Sequence, residues 1–306
     1  MAKVISKSGV TRRVYWINEI EKLSGNFTND YDKLEKELIA EVKKDGIVAL
    51  LDHLRLSGDI PEQYSHDSSE EKLYSKYTDA LLCETFKFLG FRSVVLTERG
   101  DAADVDTFAK GYSFVGDAKA FRLSRTAKNQ KDFKVQAMDG WKRGKPFAMV
   151  VCPIYQLPTR SSQIYEQAST RNVCIFTYSH LAVLVSYRAI AGPQAVEDLL
   201  LKIFNSVKNL APSKDAQDYW NAVNNTMLSF DKNIEGFWKT EKIAAIESIE
   251  IAKELALHYL KYEQDMLSNL SHEEALKELI RMYKIDSKIE VINGVTENEI
   301  LEMRIS

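Results

Sequence analysis

Apolar residues recur at three- and four-residue intervals through INEIEKL, DYDKLEKELIAEVKK and IVALLDHL in the first sixty residues, the period of amphipathic helices. Ser68 followed by Glu71 has the form of a capping box, which predicts a helix running through Tyr74, Tyr77, Leu81 and Phe88 and stopping at Gly90. The pattern then changes. Short runs rich in β-branched and aromatic residues at 91–98, 112–121, 147–154 and 172–178 read as strands, with 127–144 as a helix between the second and third. Beyond Ser179 the helical period returns in AVEDLLLKIF, in DAQDYWNAVNNTMLSF, from about 240 to 268, and in SHEEALKELIRMY, which Ser271 and Glu274 open as a second capping box. The reading is an α/β (α+β) protein in three segments: helical 1–67, a small mixed sheet within 68–190, and helical 191–306, packed together as one globular unit.

Composition changes this picture little. At 306 residues with 45% hydrophobic and 28% charged, the chain is globular and can form a sizeable core. The longest apolar run, FAMVVCPIY, is far short of the ~18–20 residues that cross a bilayer, and the N-terminus lacks the pattern of a secretory signal. A cytoplasmic location is expected. Cys83, Cys152 and Cys174 form no CxxC pair, and the five histidines have no zinc-ligand spacing. There is no Walker A motif, GxGxxG or GxSxG, which leaves nucleotide hydrolysis and serine acyl transfer without support.

Charge distribution is more informative than its sum. The formal net charge is -3, yet nine basic residues face three acidic ones between Asp117 and Lys145. Six of the nine, Lys119, Arg122, Arg125, Lys128, Lys131 and Lys134, fall at intervals of three. On a helix such a series sweeps a broad positive surface, with Asn129, Gln130 and Asp132 interleaved as hydrogen-bonding groups. Charges of this kind neutralise phosphates, and short polar groups reach base edges. A solvated helix face has the same composition.

The run departs from VGDAKAF. In a strand Asp117 and Lys119 share a face, and RGDAADVDTF places Asp101, Asp104 and Asp106 where a carboxylate could fold back toward Asp117. Two carboxylates with a backbone carbonyl suit a hard divalent cation such as Mg²⁺, and a lysine beside them can orient a water for attack on a phosphodiester. An ordinary edge-strand pair has the same spacing. Asp79, on the preceding helix, is read as solvated and outside the site.

DAKAFRLSRTAKNQKDFKVQAMDGW closely resembles the central segment of the HindIII-type restriction endonucleases, with further similarity in EKLYSKYTDALL, RGDAADV, PTRSSQIYEQ, EEALKELI and SKIEVI. The resemblance spans about 68–185 most clearly. It implies a restriction-endonuclease-like PD-(D/E)xK core and a type II enzyme, a homodimer that cuts both strands of palindromic duplex DNA with Mg²⁺ and is paired with a DNA methyltransferase encoded nearby. By motif, Asp104, Asp117 and Lys119 are implied as catalytic residues, and Asp104, Asp117 and the Ala118 carbonyl as metal ligands. Ala127, Asn129 and Lys131 are implied as base readers, Arg122, Arg125 and Lys128 as lying nearer phosphates, with Ser124 and Asp132 in the same DNA-binding segment. The family's site, AAGCTT cut after the first A, would leave 5′ overhangs. Ala103 stands where the general pattern has proline, and the interval from Asp104 to Asp117 is shorter than usual, so Asp106 is the alternative first carboxylate. A catalytically impaired DNA-binding protein and a repair nuclease of the same fold are the competing readings.

Overall fold

The structure, a computed structural model, describes residues 3–96, 102–125 and 130–294, with Gln130 and Lys131 as backbone alone. Three helices come first: α1 (Lys7–Glu21), α2 (Phe27–Leu56) and α3 (Ser69–Leu89). Ser68 caps α3 by accepting the Glu71 N–H at 3.2 Å. The expected return bond goes elsewhere, because the Glu71 carboxylate accepts the Asp67 N–H at 2.6 Å. Gly90 ends α3 in the left-handed region, at φ 108°, and its missing side chain admits Pro193, which a Cβ would meet at 2.4 Å.

Five strands make one sheet in chain order: β1 (Arg92–Val95), β2 (Val105–Phe108), β3 (Ser113–Ala118), β4 (Phe147–Cys152) and β5 (Val173–Thr177). β1, β2 and β3 are antiparallel, whereas β3, β4 and β5 are parallel. β3 is therefore the seam between two kinds of ladder. All of β4 and β5 is buried, as parallel strands covered on both faces must be. β2 was not expected as a strand, since its four residues follow an Asp- and Gly-rich stretch that reads as a turn.

The expected helix over 127–144 is two short ones, α4 (Gln130–Phe133) and α5 (Val135–Trp141), separated by Lys134 in the left-handed region at φ 47°. A continuous basic helix face is therefore absent from the described part of this segment. α6 (Gln163–Thr170) makes the crossover from β4 to β5, and α7 (Tyr178–Lys208), bent at Gly192, runs out of β5. α3 lies against β1, β2 and β3, and α7 packs on α3 and β5. Opposite Gly116 of β3 stand Leu82 and Phe86 of α3, each 3.2 Å from where a Cβ would lie. α8 (Ala216–Leu228) packs on α7, and α9 (Ile234–Ser268) follows.

By contacts the chain divides into residues 1–256 and 257–306. The second unit holds the end of α9 with α10 (His272–Met282) and α11 (Ile285–Asn293), neither of which buries a residue. The capping box at Ser271 and Glu274 is complete. Among the described residues no helix is long and apolar enough to cross a membrane.

Candidate active site

The β2–β3 ladder pairs Val105 with Gly116, so the next step outward sets Asp104 across from Asp117. The Leu96 N–H donates to the Asp104 carbonyl at 2.8 Å, which holds this residue on the β1 ladder as well. Residues directly opposed on antiparallel strands bring their Cβ atoms to about 5 Å. Register alone thus brings two carboxyl groups together, an arrangement that opposes ionisation of both. On β3, the Lys119 N–H donates to Val151 O at 2.7 Å, extending the ladder beyond Ala118. Asp117 and Lys119 consequently share a face, and the Lys119 ammonium pairs with Asp117 Oδ2.

Asp117 is 1% exposed. Burial pushes the Asp104 pKa well above the carboxylate range, with the charges of Asp79 and Asp117 and a hydrogen bond to Asp117 adding to it. Burial also opposes the Lys119 ammonium, but Asp117 and Asp104 outweigh it and hold its pKa above the ordinary value. Lys119 therefore stays charged at neutral pH.

Asp79 corrects the sequence reading. It is 3% exposed rather than solvated, and its pKa is raised by burial, against the pull of Lys76 and with a further push from Asp117. Lys76 Nζ lies 3.0 Å from Asp79 Oδ2 and 3.8 Å from Asp104 Oδ1. The signal lay in the helix around it: Tyr77 to Cys83 is buried without interruption, and an aspartate inside such a run has no solvated face to occupy.

The donor set fits a hard divalent cation. Every candidate ligand is oxygen, and carboxylates crowded by register gain most from a positive ion. Asp117 is buried, with its Oδ2 against the Lys119 ammonium. Ala118, between the two site residues, supplies a backbone carbonyl. Asp106 is engaged elsewhere, its Oδ2 3.1 Å from Lys145 Nζ. A separate group, His66, Asp67 and Glu71, brings one ligand atom each within 4.8 Å, but Glu71 is also bonded to Arg122 and the Asp67 amide.

Of the expected DNA-binding residues, Arg122 is held by protein: it donates to Glu71 Oε1 and to the Tyr64 carbonyl, both at 2.6 Å. Its own carbonyl accepts from Gln156 Nε2 at 2.9 Å. Ser124 donates through its amide and hydroxyl to Glu62, at 2.9 and 2.7 Å. Arg125 pairs with Asp132 at 2.5 Å and lies over the Phe121 ring. Phe121 itself is stitched to the loop after α2, donating to Gly58 O at 3.1 Å. Ala127, Lys128 and Asn129 lie outside the described residues, and Lys131 is placed by its backbone in α4.

An antiparallel hairpin running into a parallel pair makes a restriction-endonuclease-like fold, with opposed aspartates and a lysine where the two meet. The family model for the HindIII restriction endonuclease matches residues 14–296. The chain is also 33% identical over 299 residues, 92% of its length and 97% of the other's, to the type II restriction enzyme HindIII of Haemophilus influenzae. It belongs to the HindIII restriction endonuclease family and is a restriction endonuclease.

Proposed function

We propose that the protein is a type II enzyme that cuts both strands of a palindromic duplex, AAGCTT, after the first A, using Mg²⁺ and leaving 5′-phosphate ends with 5′ overhangs. One observation carries the reading: register sets Asp104 across from Asp117, with Lys119 paired to the latter. Asp104, Asp117 and the Ala118 carbonyl would hold the cation. Bound there, it supplies positive charge to the scissile phosphate and makes an adjoining water easier to deprotonate. Lys119 donates a hydrogen bond that orients this water in line with the P–O3′ bond. A new P–O bond forms as the P–O3′ bond breaks, the water's proton passes to solvent, and the departing O3′ takes a proton to become hydroxyl.

The AAGCTT assignment is supported by the similarity of the segment from Arg125 to Phe133 to the family's recognition segment. Two copies would present two such sites to the two strands, since a two-fold protein matches a two-fold sequence. A DNA methyltransferase encoded nearby would protect the host's own sites. The test is to incubate plasmid and unmethylated phage DNA with the protein and Mg²⁺ and to sequence the fragment ends. A common AAGCTT at the ends supports the reading; binding of an AAGCTT duplex without cutting favours an impaired DNA-binding protein instead.

A further inference from the structure

Phe121 stands two residues past Lys119, where the chain leaves the sheet for the proposed recognition segment, Arg125 to Phe133. Its ring meets both ends of that segment. The Phe133 ring lies 5.7 Å from it between centroids, and the Arg125 guanidinium lies 5.5 Å from its centre. The Arg125–Asp132 pair, at 2.5 Å, draws the same two ends together. The base of the segment is therefore built around one ring.

The backbone of Phe121 rests on the loop after α2. Its N–H donates to the Gly58 carbonyl at 3.1 Å and its carbonyl accepts the Ile60 N–H at 3.3 Å, which makes Asp59 its partner in a parallel bridge outside the five-stranded sheet. Asp59 is buried, and its carboxylate accepts the Leu123 N–H. From the other side Arg13 of α1, also buried, donates to the Asp59 carbonyl and to the Tyr74 hydroxyl, both at 2.5 Å, with Asp59 Oδ2 3.9 Å away. Tyr74 in turn donates to the Ser57 carbonyl at 2.9 Å. Stability alone does not account for a buried arginine and aspartate. Desolvation offsets most of the attraction in such a pair, and apolar residues of similar volume commonly replace it without loss. What the pair adds is direction, since each of its bonds is aimed at one backbone or side-chain atom.

We propose that Asp59, held by Arg13, is a positioning residue for DNA recognition: it fixes Phe121 relative to Lys119, so that the segment from Arg125 to Phe133 is carried in register with the cutting site. The inference rests on the reading of that segment as the DNA reader. It gives the N-terminal helices a part in specificity, because α1 supplies the arginine and the loop after α2 supplies the surface on which Phe121 sits.

The experiment compares single-turnover cleavage, by the full chain with Mg²⁺, of an AAGCTT duplex and of the same duplex with one base pair changed. Wild type, D59A, D59N and R13K are each assayed below their melting transitions. D59A is expected to lower the ratio of the two rates about tenfold, the scale of one lost hydrogen bond to a charged group. D59N keeps an oxygen to accept the Leu123 N–H and is expected to recover most of the ratio. R13K keeps the charge but not the fork that reaches both Tyr74 and Asp59; it is expected to fall with D59A, and it stands in where D59A does not fold. A general loss of stability lowers both rates alike, so an unchanged ratio in D59A and R13K overturns the proposal. Should wild type show no preference for AAGCTT, the functional reading fails by itself, and amide exchange at Phe121 and Ile60 decides the inference. Exchange about tenfold faster in D59A than in wild type supports it, and equal rates overturn it.

Discussion

Asp104 and Asp117 face each other across the β2–β3 ladder, one step beyond the paired Val105 and Gly116. Their proximity follows from strand register, so neither carboxylate can retreat without breaking the ladder. Replacing Asp104 by asparagine is expected to abolish cleavage and to raise the melting temperature of the metal-free protein at neutral pH, because burial and the neighbouring acids raise the Asp104 pKa to about 9, so the folded state must keep a carboxyl protonated that the unfolded chain ionises. Plasmid cleavage and a thermal melt on the same preparation check both halves, and an active D104N would remove Asp104 from the reaction.

Asp106 should behave in the opposite way. Its carboxylate is paired with Lys145 at 3.1 Å, and a half-buried pair broken on one side costs about 1–3 kcal/mol. D106N is expected to lose stability in a urea titration while cutting within about tenfold of wild type, the range of an indirect effect. Complete loss of cleavage in a folded D106N would make Asp106 the first carboxylate.

Lys119 sits against Asp117 and keeps its proton at neutral pH. K119A is expected to bind its site in Ca²⁺ as wild type does and to cut at least about a hundredfold more slowly in Mg²⁺, the scale of a lost proton-handling group. Filter binding and single-turnover cleavage separate the two effects, and full cutting would exclude the assigned role.

His180 gives a prediction about stability alone. It is buried, its Nε2 2.8 Å from Asn224 Oδ1 and its Nδ1 2.6 Å from the Thr177 hydroxyl. Burial lowers its pKa to about 4, against a small opposing effect of Asn224. The unfolded chain takes up its proton near 6.5 and the folded chain only near 4, so the stability contribution is complete above 6.5 and is lost as pH falls from there toward 4. The loss amounts to about 3 kcal/mol at most. H180Q should flatten that part of the pH–stability curve; an unchanged slope would assign it to other groups.

Glu71 and Glu62 hold Arg122 and Ser124 beside the proposed recognition segment. The double variant E62Q E71Q is expected to reduce the proposed preference for AAGCTT over a scrambled duplex several-fold, because a loosely held segment loses the cost it imposes on wrong bases. Competition binding in Ca²⁺ measures the ratio, and an unchanged ratio would make these contacts merely structural.

Local geometry was legible where it obeyed a strict period. DAK could be placed because a strand alternates faces, and Ser68 could be placed because capping is local. Asp104 was harder to place, since its partner is set by the register of a four-residue strand that the sequence disguises as a turn. Asp79 was misread because an aspartate on a helix has the same local signature whether water or another carboxylate faces it; tertiary burial decides. The break at Lys134 gave no warning, as lysine is not a residue that favours the left-handed region. Arg122 showed the charge of a phosphate contact without showing that Glu71 already holds it.

β3 lies in the middle of the sheet, bonded on both edges and buried from Phe114 to Ala118. Its amides can meet solvent only when the ladders on either side open together, which places this strand among the slowest to exchange hydrogen for deuterium. Two of the three proposed catalytic residues stand on it or just past its end. Loss of activity on heating should therefore coincide with loss of the fold itself, leaving no range of temperature in which an intact molecule has a loosened site.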